Sequence, residues 1–141
     1  MVMDEALRRN DRDLLDRAAV RFRRHLEVAW DDVYGGLFRG VRHVDSNDWL
    51  LDKVLWEQEE ALIGCLMLIE HRGDRWEHDA FERLYRYVHD RYRLDRYGLP
   101  LWITAADRKV TFEPHYNRIE NYHHPRHLIL NMLALERMAG I

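Results

Sequence analysis

A single cysteine, Cys65, stands in the 141 residues, and it lies inside the apolar run from Ala61 to Ile69. One thiol excludes a disulfide framework and a thiolate metal cluster, and it fits a reducing, cytoplasmic setting. No apolar run approaches the roughly 20 residues that a membrane helix needs. The N-terminal MVMDEALRRNDRD also lacks the positive-then-apolar order of a secretory signal. Charge of one sign is missing too: 22 basic and 25 acidic residues give a net charge of -3. That balance leaves no field to attract nucleic acid. All the basic residues except Lys53 and Lys109 are arginines, but they alternate with acids in stretches such as LRRNDRDLLDRAAVRFRRHLEVAWDD. The pattern predicts a solvated, ion-paired helix face rather than phosphate recognition. Neither a nucleophile elbow nor a Cys–His pair is present, and Gly35-Gly36 does not open a helix as a phosphate loop would.

What is there is periodic. The length predicts one domain over residues 1–141. Leu7, Leu14, Leu15, Ala18, Ala19, Phe22, Leu26 and Ala29 recur at steps of three and four, which predicts one amphipathic helix over about 4–30. A glycine-punctuated break follows at DDVYGGLFRGVRHVDSNDW and predicts a small hairpin. From about Val54 to Glu70 the chain becomes apolar on nearly every side, as a helix packed all around requires. One-sided patterning returns over about Trp76 to Tyr92 through Phe81, Leu84, Tyr85, Val88 and Tyr92. A second break contains two extended runs, Leu101 to Thr104 and Lys109 to Phe112, around an AADR turn. Pro125, suited to a first helical position, then opens an apolar helix to about Met138.

The order is outer helix, hairpin, inner helix, taken twice, with DVYGGLFR at Asp32 echoed by DRYGLPLW at Asp95. A repeat of this kind predicts an all-α fold: an arc of an α/α toroid, with alternating outer and inner helices and short β-hairpin insertions.

The segment NYHHPRHLIL, residues 121–130, gathers three histidines and an arginine at the mouth of the last helix. A zinc site is one use for such a cluster. The proline denies His123 and His127 a regular helix-face pair, so no metal is expected, and no other cofactor is implied. Taken together, DDVYGGLFR, KVLWEQEEALIGCLMLIEHRGD and YHHPRHLILNMLAL resemble the C-terminal third of the N-acylglucosamine 2-epimerase superfamily, which includes cellobiose 2-epimerases and mannose isomerases.

The resemblance implies part of an (α/α)6 barrel whose reaction epimerises or isomerises a sugar beside its carbonyl through histidine. It puts the catalytic histidine of the terminal motif on His123 and the motif's arginine on Arg126. Trp56 and Glu60, with Gln58 between them, are then substrate-binding. The partner histidine of the family belongs to a stretch this sequence does not contain. Proton abstraction next to a carbonyl needs a neutral base and donors for the developing enediolate. An imidazole beside a helix start faces the positive end of the dipole, which favours its neutral form. An indole suits the apolar face of a pyranose, and a guanidinium suits an oxygen pair. The plainer readings are a capping or surface histidine, a core tryptophan, an arginine paired with Glu120, and acids at 59 and 60 that complement a helix dipole. His124 and His127 are read as structural or pocket-rim residues.

Two hairpins leave the apolar sides of the inner helices uncovered. The expected partners are therefore a small-molecule sugar and either further copies of the chain or a missing N-terminal part of the barrel. The alternative is a non-catalytic remnant of the fold that binds carbohydrate or protein through the open arc.

Overall fold

The structure, a computed structural model, describes residues 2–94, 101–106, 108, 116–117 and 122–141. The single first helix expected over 4–30 is two: α1, Val2–Arg8, and α2, Arg12–Ala29. Asn10 adopts a left-handed φ of 52°. Its N–H donates to the Leu7 carbonyl at 3.0 Å, and that of Asp11 donates to the Ala6 carbonyl at 2.8 Å. This paired closure ends α1, and the Asp11 carboxylate then caps α2 by accepting the Leu14 N–H at 2.9 Å. Apolar spacing does not register the break because both helices feed one core cluster, in which Ala6 and Leu15 meet Ala19 and Leu68.

Helix α3, Leu55–His71, packs against both α4 and α5 and buries most of its residues, leaving the Trp56 and Glu60 face partly open. Gly64 explains how closely α2 approaches: a Cβ there would fall 2.6 Å from the Phe22 ring. Helix α4, Arg75–Tyr92, starts with the Asp74 N–H donating to Glu77 Oε2 at 2.9 Å. It buries Leu84, Tyr87, Val88 and Tyr92. Tyr85, expected inward, stays half exposed and stacks on Phe81 and His89 along the outside. Starting from Leu84, steps of three and four lead to Tyr87 and Val88, and these carry the core face instead.

The first break forms the expected hairpin, with β1, Gly40–His43, antiparallel to β2, Asp48–Leu50. The second is a small sheet in which β5, Leu101–Ala106, pairs antiparallel with β3, Lys53–Val54, with β4, Arg93–Leu94, and with β6, Tyr116–Asn117. The AADR turn therefore starts later than expected, because Ala105 and Ala106 are still paired, with Val54 and Lys53. The arm Lys109 to Phe112 and most of the second repeat motif from Asp95 lie outside the described residues.

The DDVYGG loop is pinned by a buried ion cluster. Lys53, without solvent exposure, donates to Asp31 Oδ2 at 3.0 Å, to the Arg108 carbonyl at 2.9 Å and to the Gly35 carbonyl. Asp31 also accepts from Arg108 Nε at 3.0 Å and from the N–H groups of Val33 and Tyr34 at 2.9 and 3.2 Å. Burial pushes the Asp31 carboxyl up, but these donors outweigh it and hold it well below the usual carboxylate range. Gly36, at φ 78°, lies against the Tyr87 ring, and a Cβ there would sit 2.3 Å from it. Only glycine fits.

Helix α5, His123–Ala139, begins two residues earlier than Pro125 predicts. Pro125 is tolerated there because the first four N–H groups of a helix have no carbonyl within it to bond. The helix packs on α3, but its expected inner character is met only at His127 and Ala134, both buried. Leu128, Ile129, Met132, Leu133 and Leu135 remain exposed, because no further helix flanks α5 on that side among the described residues. Among those residues, no helix is long and apolar enough to cross a membrane.

Candidate active site

The first turns of α3 and α5 face one another, and two adjacent clusters form between them. The helix repeat puts Trp56 and Glu60 on one face of α3, four residues apart, and His123 and Arg126 on one face of α5, three apart. Trp56 and His123 place their ring centroids 5.3 Å apart with planes inclined by 30°. Glu60 joins the four: Arg126 Nη1 donates to Glu60 Oε1, and His123 Nδ1 lies 3.7 Å from the same oxygen. His123 Nδ1 is out of contact with water and has no hydrogen-bond partner among the described residues. Tyr122 also packs edge-on against that imidazole, 4.9 Å between centroids. Trp56 is 42% exposed, so its pair with His123 lies at the surface of the described residues. Glu60 and Arg126 also line the end of a groove of about 320 Å³ between α1, α3 and α5, with Met3, Leu7, Gly64 and Met67 along it.

Glu59, one residue away, faces a different pair. It is 1% exposed, with His124 Nδ1 in hydrogen-bond contact with its Oε1 and His127 Nδ1 3.5 Å from the same atom. Burial alone would push this carboxyl up; the two imidazoles outweigh it and hold the group below its ordinary value. Sequence reasoning treated Glu59 as a helix-dipole acid and His124 and His127 as structural or pocket-rim residues. The available signal was an acid inside a helix apolar on nearly all sides, since a buried carboxylate requires a partner.

Gln58 is a correction. It is fully buried; its Oε1 accepts the Leu37 N–H at 2.8 Å and its Nε2 donates to the Leu37 carbonyl at 2.8 Å. An amide committed on both ends to one backbone unit clamps the DDVYGG loop onto α3 and does not face a ligand. The other expected partner of Arg126, Glu120, lies outside the described residues.

The sequence matches the N-acylglucosamine 2-epimerase (GlcNAc 2-epimerase) family over residues 1–125. The chain belongs to that family. Among solved structures it is similar to a D-mannose isomerase, with a TM-score of 0.79 at 18% identity, covering 96% of this chain and 35% of that one. It is also similar to the cellobiose 2-epimerase from Spirochaeta thermophila DSM 6192, with a TM-score of 0.75 at 18% identity, covering 99% of this chain and 36% of that one. No curated protein sequence matches it. The chain thus spans about a third of the length of these two structures. At such identities the likeness concerns the fold: an all-α arc of an α/α toroid, in which α2 and α4 are outer helices and α3 and α5 inner ones. In this N-acylglucosamine 2-epimerase family chain, both clusters lie between consecutive inner helices.

Proposed function

We propose that the chain carries part of the active site of a sugar epimerase or aldose–ketose isomerase. The observation that supports it is the convergence of Trp56, Glu60, His123 and Arg126 from two helices. In this reading Trp56 stacks on the apolar face of the sugar. His123 removes the proton from the carbon beside the carbonyl, leaving an enediolate whose oxygen Arg126 holds. Return of the proton to the opposite face of that carbon gives the epimer, and its delivery to the neighbouring carbon gives the ketose. Glu60 orients both the imidazole and the guanidinium. No metal or other cofactor takes part in this scheme.

The ring is completed by further copies of the chain or by further helices, a reading supported by the exposed apolar side of α5. A reducing, cytoplasmic setting, to which the free buried Cys65 is suited, belongs to the same reading. So does the absence of nucleic-acid and membrane partners. The exposed side of α5 also favours a second reading, a non-catalytic module that binds carbohydrate or protein.

Incubation with mannose, glucose and N-acetylmannosamine in heavy water separates the two. Deuterium entering C2, and lost in His123→Gln, supports the enzyme. No exchange across a broad aldose panel rejects it and leaves the binding module.

A further inference from the structure

We propose that Glu59, His124 and His127 form a binding site for a divalent transition-metal ion of the zinc class, bridging α3 and α5. The proposal does not rest on the sugar chemistry assigned to the neighbouring cluster. One oxygen of Glu59 and one ring nitrogen of each histidine lie within 4.8 Å of one another. Two imidazoles and one carboxylate are a donor set that holds zinc or iron(II) while leaving coordination positions open.

The burial pattern points to a ligand. Among the described residues, Glu59 Oε2 and His127 Nδ1 are shielded from water and have no hydrogen-bond partner, the nearest approach of His127 Nδ1 being the 3.5 Å to Glu59 Oε1. Buried polar atoms left in that state are costly, and a cation accepting their lone pairs removes the cost at both. The site is reachable, because the His124 side chain keeps 15% of its surface open. His124 and His127 are one helical turn apart, so their spacing is set by α5 itself, and Glu59 is fixed by a helix that buries most of its residues. Cys65 is also buried on α3, but among the described residues no group of potential ligands includes it. A bound ion would pin the first turn of α5, which carries His123 and Arg126.

The test uses untagged full-length protein, stripped with chelator and titrated with cobalt(II) and then zinc(II). The expected result is one equivalent of cobalt with visible ligand-field bands, displaced by zinc, and a rise in melting temperature with either ion. His124→Asn, at the accessible edge, is expected to weaken binding at least about tenfold, and Glu59→Gln to abolish it. Should Glu59→Gln fail to fold, His124→Asn alone decides. His123→Gln is expected to bind the ion as the unaltered protein does, although it would lose any deuterium exchange. Absence of binding, or binding unaffected by His124→Asn, overturns the proposal, and so does binding lost in His123→Gln.

Discussion

The imidazole of His123 and the indole of Trp56 lie 5.3 Å apart on facing helix starts, one from each inner helix. If that pair forms the wall of a sugar site, the indole contributes a flat apolar surface more than it contributes stability. Trp56→Phe is therefore expected to change unfolding free energy by no more than about 0.5 kcal/mol, as at a partly exposed position. Trp56→Ala is expected to lower C2 deuterium exchange about tenfold or more, with Trp56→Phe in between, because stacking is lost in proportion to ring area. Exchange rates for the three proteins, read by NMR, decide it. Equal rates would remove Trp56 from the site.

The buried cluster around Asp31 makes a sharper stability prediction. Lys53 has no solvent exposure, and burial lowers its amine from the ordinary lysine value, with the Asp31 carboxylate opposing that effect. Removing the acid leaves a buried cation with the Gly35 and Arg108 carbonyls and the Phe38 and Tyr87 rings but no counter-charge in hydrogen-bond contact among the described residues. Asp31→Ala is expected to cost about 3–5 kcal/mol, measured by urea denaturation at neutral pH. The Asp31 carboxyl is held below its unfolded value, so its contribution is complete above roughly pH 4 and is lost as pH falls through the lower folded value. The unaltered protein should accordingly lose more stability than Asp31→Ala on acidification. Parallel pH profiles would contradict this.

Glu57 titrates in the opposite sense. Burial pushes its carboxyl up to about 7, against the pull of Arg39, and nearby Asp52 adds to the rise. The folded form thus holds a proton that the unfolded chain releases near pH 4.3. The stabilising contribution is fully present below that value and disappears as pH rises through about 7. Glu57→Gln should therefore match the unaltered protein at pH 4 and exceed it at pH 8. The gain should be about 1 kcal/mol after allowance for solvent screening of a partly exposed group. Thermal melts at both pH values check this, and a gain of the same size at both would show that the charge is not responsible.

The order of elements was legible because each inner and outer helix has its own pattern: Ala61 to Ile69 reads as buried on all sides, and Leu84 to Tyr92 as a stripe. The α1–α2 boundary was hidden because Asn10 turns the chain without interrupting the apolar spacing. The candidate site was legible in part. Trp56, Glu60, His123 and Arg126 came from motifs, and the helix repeat does place each pair on one face. Gln58 read the same way in sequence, but its amide meets Leu37, 21 residues away, a contact that only tertiary folding reveals. Glu59 was passed over for the converse reason, since an acid at a helix start has an adequate local explanation and its imidazole partners come from 65 and 68 residues further on.

Close packing of α2 on α3 should depend on one missing methyl group. Gly64→Ala gains helix propensity, worth about 1 kcal/mol in an exposed helix. Here the new Cβ would lie 2.6 Å from Phe22, so the ring must move. Overpacking of this kind costs about 1–3 kcal/mol, and Gly64→Ala is expected to be destabilising on balance. Phe22→Leu alone opens a gap and is also expected to destabilise. Combined, the two changes relieve one another, and the double variant should be more stable than the sum of the single losses predicts, by about 1 kcal/mol. Denaturant unfolding of the four proteins measures that coupling directly. Strict additivity would mean that α2 shifts away without resistance, and Gly64 would then have no packing role.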